Sequence, residues 1–200
     1  MEPAGARRGI QLDLIAGIDA QFDVDHSYDN VAWDGNYGLQ VSTPLTRALA
    51  AKVAVVHTSA HLGDELIERT GRERIGYTRE ELVVGLRRRL RPSLAVYGEA
   101  GYGYELRNRE LQEPWRLQAG AELDPSRSRE GPASWFAAID LSATEERDYR
   151  LDAALKAGRT FRVEERRWRV GVEIYDGRPN AGELFQDTEA HVAAGLWLDL

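Results

Sequence analysis

The sequence predicts an all-β chain: a transmembrane, antiparallel, up-and-down β-barrel of about ten strands, with short periplasmic turns and longer extracellular loops. Three observations predict it. Apolar and polar residues alternate with a period of two along most of the chain. The connections between the alternating runs are short and long by turns. Aromatic residues on the apolar columns fall near the ends of the runs, where a bilayer interface holds them.

The first run sets the pattern. Ile10, Leu12, Leu14, Ala16, Ile18, Ala20, Phe22 and Val24 interleave with Gln11, Asp13, Ile15, Gly17, Asp19, Gln21 and Asp23. Side chains of a strand point alternately to its two faces, so this run has one apolar and one polar face. A helix would need apolar residues at i+3 and i+4, and they do not fall there. The second run presents Val31, Trp33, Tyr37, Leu39 and Val41 on one face. The third, over 47–62, is mixed. Its odd column is Leu49, Ala51, Val53, Val55, His57, Ser59 and His61; its even column carries Lys52 beside Ala54, Val56, Ala60 and Leu62. Lys52 assigns the even column to the lumen, whereas Val56, Ala60 and Leu62 argue for the odd one.

Later apolar columns read Leu82, Val84, Leu86; Leu94, Val96, Ala100, Tyr102, Tyr104; and Trp115, Leu117, Ala119, Ala121, Leu123. They continue with Trp135, Ala137, Ile139, Leu141; Tyr149, Leu151, Ala153, Leu155; Trp168, Val170, Val172, Ile174; and Val192, Ala194, Leu196, Leu198, Leu200. The columns between them carry both signs of charge: Glu99, Arg116, Glu122, Asp140, Arg150, Asp152, Lys156, Arg169 and Glu173. In a narrow lumen these fill the space as pairs, because an unpaired charge there is costly. Short turns fall near Pro44, Pro92 and Arg162, with a longer one over 124–132; the longest opposite loops are Gly63–Arg74 and Asp176–Asp187. An even strand count puts both termini on the short-turn rim. Asp29, Asn30 and Asp34 read as solvated loop residues.

Composition narrows the functions. The chain has 200 residues and a net charge of −7, so it has no basic excess for neutralising nucleic-acid phosphates. It has no cysteine, which excludes a disulfide scaffold, thiol catalysis and cysteine zinc sites. No apolar run reaches the roughly 18 residues of a transmembrane helix. Residues 1–8 lack an apolar signal-peptide region and read as a disordered segment before one barrel domain over 9–200.

The same alternation turned inside out would give a soluble barrel or sandwich. The runs are often twice the roughly 5–6 residues of globular strands, which favours the membrane. The ending Leu196-Trp197-Leu198-Asp199-Leu200 resembles the C-terminal strand signal of outer-membrane proteins, although those usually end in an aromatic residue. Three residues break the pattern: Tyr37 lies mid-strand, Trp197 falls on a polar column, and Arg88 falls on an apolar column near the periplasmic rim, where it can snorkel.

Several stretches resemble an uncharacterised bacterial family, domain of unknown function 1207. HTSAHLGDE at 57–65 is similar to that family's His-x-Ser-Ser-His-Leu-Gly-Asp-Glu run, with Ala60 in place of the second Ser. NYGLQVSTPL at 36–45, RIGYTREEL at 74–82 and YDGRPNAGELF at 175–185 resemble further pieces in the same order. The resemblance implies a Gram-negative-type envelope, with the bacterial outer membrane as location and its lipid as partner. It also implies an upstream segment or partner chain before Gly9, and it supplies no activity and no cofactor.

Two functions are open. The leading expectation is a non-enzymatic envelope barrel, structural or ligand-binding, in which His57, Ser59 and His61 join a luminal hydrogen-bond network. The alternative is a lipid esterase or deacylase, since His-x-Ser on a strand near the outer leaflet resembles the arrangement in outer-membrane phospholipases and lipid A deacylases. Residues two apart on a strand are about 6.5–7 Å apart, so His57 can act as base for a Ser59 nucleophile, with Glu80 as orienting acid. The direction of Ser59 discriminates, because this chemistry needs its nucleophile on the bilayer face. A metal reading of His57, His61, Asp64 and Glu65 needs a bulge or a folded-back loop: the two imidazoles are about 13 Å apart on an extended strand, against bonds of about 2 Å.

Overall fold

The computed structural model describes residues 9–127, 133–163 and 166–199. The expected disordered segment 1–8 lies outside these residues. Each alternating run forms a strand: β1 Gln11–Asp23, β2 Asp29–Pro44, β3 Leu49–Leu62, β4 Thr78–Arg91, β5 Leu94–Leu106, β6 Trp115–Leu123, β7 Ala133–Thr144, β8 Leu151–Val163, β9 Arg166–Gly177 and β10 Glu189–Asp199. Every strand pairs antiparallel with the next, giving one ten-stranded sheet in sequence order. Strands as long as 16 residues need no helices between them, because hairpin turns link antiparallel neighbours.

The sheet curls into a half-barrel. The ten antiparallel up-and-down strands are those expected from sequence; among the described residues no ladder joins β10 to β1. A side-chain bond, Gln21 Nε2 to Glu189 Oε2 at 3.1 Å, spans that seam near the long-loop end. The seam leaves two strand edges unpaired, which soluble proteins usually blunt with charge, proline or a bulge.

The turns explain the two rims. At the β2–β3 turn the Thr46 hydroxyl accepts from Ala48 N at 3.2 Å and Leu49 N at 3.0 Å. The β1–β2 and β7–β8 connections share another design: a 3-10 turn followed by two residues in the left-handed region, Ser27 and Tyr28 in one, Asp148 and Tyr149 in the other. This turn ends the alternation before Arg150, so Arg150 lies exposed in the connection and not in the lumen as expected. Arg147 turns inward instead and meets Asp152 at 2.5 Å.

One helix forms where none was required. α1, Asp64–Thr70, sits in the Gly63–Arg74 loop and packs against β2. Its entry needs Gly63, because a Cβ there would lie 1.8 Å from Asn30 O. At this rim Ala32, Leu62, Ala181 and Leu184 form one apolar cluster, and Ala60, Tyr77 and Phe185 another. Buried Glu183 accepts from the amides of Ile75, Gly76 and Tyr77 at 2.7, 2.7 and 3.0 Å and so ties the two long loops together. Asp34 is buried and accepts from Gly182 N at 2.8 Å, so it anchors the loop and is not a solvated residue.

The outward face is apolar. Leu14, Ile18, Leu155 and Val172 are 78, 77, 51 and 50% exposed, and Ala119 and Ile139 are exposed beside them; Val96 is half-buried. The inward face holds paired charge. Lys52 meets Glu99 at 2.6 Å, Lys156 meets Glu173 at 2.5 Å, and Arg169 reaches Glu122 at 2.7 Å. Arg116 grips Glu81 through two nitrogens at 3.0–3.2 Å. Asp140 accepts from Tyr97 Oη and from Gln118 at 2.8 Å. The pattern-breaking Trp197 points inward, edge-on to Phe136, with the Lys156 ammonium 5.7 Å from its ring centre.

Candidate functional site on the outer face of β3

The facing of β3 settles what its sequence left open. Ala54, Ala60 and Leu62 are buried, whereas Val53, Val55 and His61 are exposed. His57, Ser59 and His61 therefore line the outward face, not the luminal network of the leading expectation. Lys52 decided the register: a cation that can reach Glu99 stabilises the even column inside, and a one-residue slip would have put it on the apolar face.

Neighbouring strands complete the row. On β2, Tyr37, Gly35 and Trp33 lie opposite His57, Ser59 and His61. On β4, Glu80 lies opposite His57 and Thr78 opposite Ser59. Tyr37 stacks on His57 with centroids 4.4 Å apart, and Trp33 on His61 at 4.1 Å. Gly35 has no side chain, and the Trp33 ring lies 3.6 Å from where a Cβ there would stand. Glu80 shares the outward column of Leu82 and Val84, and Glu81 is buried inside; the β4–β5 ladder shifts register beside them, with the extra residue, Tyr104, on β5.

The hydrogen bonds divide the row into two pairs. Glu80 contacts His57 Nδ1 directly. Ser59 Oγ lies 3.2 Å from His61 Nε2, so the hydroxyl donates when that nitrogen is unprotonated. The three residues of the esterase alternative thus share one face, but Ser59 engages His61 and not His57. Ser59 and His61 open into a cleft of about 730 Å³ at the long-loop rim, lined also by Trp33, Arg74, Thr78 and Arg107. Trp33 and Gly35 carry no motif of their own and Tyr37 belongs to the 36–45 stretch; the hairpin register brings all three to the row.

The four residues of the metal reading do not converge. His57 is held by Glu80, His61 lies on Trp33, and Asp64 pairs with Arg74. No group of three or more metal-ligating side chains occurs among the described residues.

Inside the same rim lies a buried polar knot. Glu146 accepts from Tyr77 Oη at 3.1 Å and Arg178 at 3.3 Å, with Arg79 at 3.6 Å. Burial pushes the Glu146 carboxyl above its usual range, against the opposing pull of Arg178 and Arg79. Burial likewise raises the Tyr77 hydroxyl. This knot closes the long-loop end of the interior and holds the walls that carry the outward row.

None of the curated proteins compared with the chain matches it. The family model described as "Protein of unknown function (DUF1207)" matches residues 6–198, nearly the whole chain. The chain belongs to that family.

Proposed function

We propose that the chain is an outer-membrane β-barrel of a Gram-negative-type envelope that hydrolyses acyl esters of membrane lipids at Ser59. The observation that carries the hydrolase reading is that Ser59 faces outward and is hydrogen-bonded to an imidazole, on a surface otherwise given to apolar side chains. The bilayer reading is supported by that apolar surface, far larger than a water-exposed protein normally shows, and by exposed Trp33, Tyr104, Trp115 and Tyr149 toward one rim with Trp135 toward the other. The paired charges of the interior argue against a general pore.

The chemistry needs no cofactor. His61 takes the Ser59 proton as the oxygen attacks the ester carbonyl. The tetrahedral intermediate collapses, and the imidazolium returns the proton to the departing alcohol. Water, activated by the same imidazole, then releases the fatty acid and restores Ser59. Glu80 fixes the ring of His57, which stands on the other side of Ser59 in the same column. The test is fatty-acid release from phospholipid and lipopolysaccharide by the purified protein in detergent. Release lost in Ser59→Ala supports the reading; release equal in wild type and variant refutes it.

One observation favours a second reading, a non-enzymatic structural barrel: the acid and the nucleophile hold different imidazoles. A protein that inserts into vesicles and releases no fatty acid from any ester fits this reading.

A further inference from the structure

The two rims treat their arginines differently. At the long-loop rim Arg69, Arg72, Arg74, Arg79, Arg147 and Arg178 each pair with a carboxylate. Arg107, Arg109 and Arg150 also lie at that rim, among acidic neighbours in sequence such as Glu110, Glu113 and Asp148. At the short-turn rim Arg47, Arg88, Arg89, Arg91, Arg159 and Arg162 are exposed and have no ion pair among the described residues. Described carboxylates of the strands ending on this side are occupied: Glu99 holds Lys52 at 2.6 Å, Glu122 holds Arg87 at 3.4 Å and Arg169 at 2.7 Å, and Asp124 lies within 3.7 Å of Arg167; in sequence, Glu164 and Glu165 follow Arg162.

Their placement is regular. Arg89 N donates to Ala48 O at 2.7 Å, which sets the β2–β3 turn and Arg47 against the end of β4. Arg47, Arg88, Arg89 and Arg91 thus gather at one stretch of the rim, Arg88 on the outward column and Arg89 on the inward one. Arg159 and Arg162 form a second group on β8, Arg159 outward and Arg162 on the column of Lys156 and Thr160. Arg88 continues the outward column Leu82, Val84, Leu86, and Arg159 continues Leu155, Ala157. Each stands one strand period, about 7 Å, past an apolar neighbour, and exposed apolar residues follow it: Leu90 after Arg88, Phe161 and Val163 after Arg159. A guanidinium among apolar neighbours near the rim lays its stem along them and carries its charge toward water, and its planar fork matches phosphate oxygens.

We propose that the short-turn rim binds the headgroups of anionic phospholipids through these two groups of arginines. The inference rests on the barrel lying in a bilayer. A lipid fits better than an acidic protein because Arg88 and Arg159 lie within the outward apolar columns themselves. Nucleic acid is disfavoured by the net charge of −7.

The experiment is flotation with vesicles of phosphatidylcholine alone and with about one-third phosphatidylglycerol. A basic residue near an anionic surface contributes about a fivefold gain in partition at low salt. Phosphatidylglycerol is therefore expected to raise the floated fraction. Arg88→Gln/Arg89→Gln/Arg91→Gln is expected to lower partition on the order of 100-fold, and single Arg88→Gln or Arg159→Gln about fivefold. The single variants keep the test valid if the triple variant fails to fold. High salt shrinks the gain, and Arg69→Gln at the other rim leaves it unchanged. Equal flotation with both vesicles overturns the inference while the bilayer reading stands. Flotation with neither overturns both. A phosphatidylglycerol gain that survives every short-rim substitution overturns the assignment to these arginines.

Discussion

Leu155→Arg tests the environment of the belt directly. Leu155 is half exposed, and its register partners Ile139 and Ile174 are exposed beside it. It lies four residues from Leu151 and six from Phe161 on β8, roughly 14 and 20 Å along the strand, and so near mid-belt. In water, an arginine at so open a position changes stability by no more than about 0.5 kcal/mol. At a bilayer midplane the same change costs about 2–4 kcal/mol, or roughly 30- to 1000-fold in the folding equilibrium. With a urea slope of about 2 kcal/mol per molar, the midpoint falls by roughly 1–2 M. The assay is urea unfolding in phosphatidylcholine vesicles followed by tryptophan fluorescence. Val163→Arg, at the exposed short-turn end of the same strand, is the internal control, with an expected cost of about 0–1 kcal/mol. Equal, negligible shifts in the two variants would refute the claim that the belt faces hydrocarbon.

Three other outcomes are expected. In the ester assay, Ser59→Ala and His61→Ala each lower kcat by about 10⁴-fold or more, because nucleophile and base act as a unit, while His57→Ala and Glu80→Ala cost less; the reverse ranking would make His57 the base. The seam should close in a bilayer with the register set by Gln21 and Glu189, which puts Leu14 opposite Leu196. The chain has no cysteine, so Leu14→Cys/Leu196→Cys should crosslink under oxidant and Leu14→Cys/Val192→Cys should not; equal yields would exclude this register. Glu146 binds its proton more readily in the folded state, so its contribution is present below the ordinary glutamate value of 4.5 and is lost as pH rises through the raised folded value. Glu146→Gln should flatten that fall in stability, and an unchanged pH profile of unfolding would count against it.

The strands were legible because a period of two survives wherever one face is apolar. Ile10 to Val24 states its own facing, and so does the row from Trp168 to Ile174. β3 was not legible, because Val53 and Val55 outside and Val56 and Leu62 inside are chemically alike. The deciding contact, Lys52 with Glu99, joins residues two strands apart, and single-strand alternation cannot register it. The pairing of Glu80 with His57 could be anticipated from shared column and rim. The choice of His61 by Ser59 could not, since it depends on side-chain rotation. Arg150 misled because the two left-handed residues before it reset the alternation. The open seam has no local signature at all: β1 and β10 carry the same pattern as strands that are paired on both sides.

On the bilayer reading proposed above, the continuous pairing from β1 to β10 also bears on the membrane thickness the protein would suit. A single helix answers a thick bilayer by changing its tilt. Here each strand is locked to its neighbours by backbone hydrogen bonds, so one strand cannot tilt without shearing the next. The outward column from Leu151 to Phe161, with Arg159 in it, rises roughly 34 Å along β8; in a bilayer, at the 35–45° tilt of such barrels, that would be about 26 Å along the normal. On that reading, a thicker hydrocarbon layer would have to thin around the protein, at a cost of fractions of a kcal/mol for each ångström of mismatch. Bacterial outer membranes are thinner than average, and the rigidity of the sheet would by itself make them the least strained of the available bilayers.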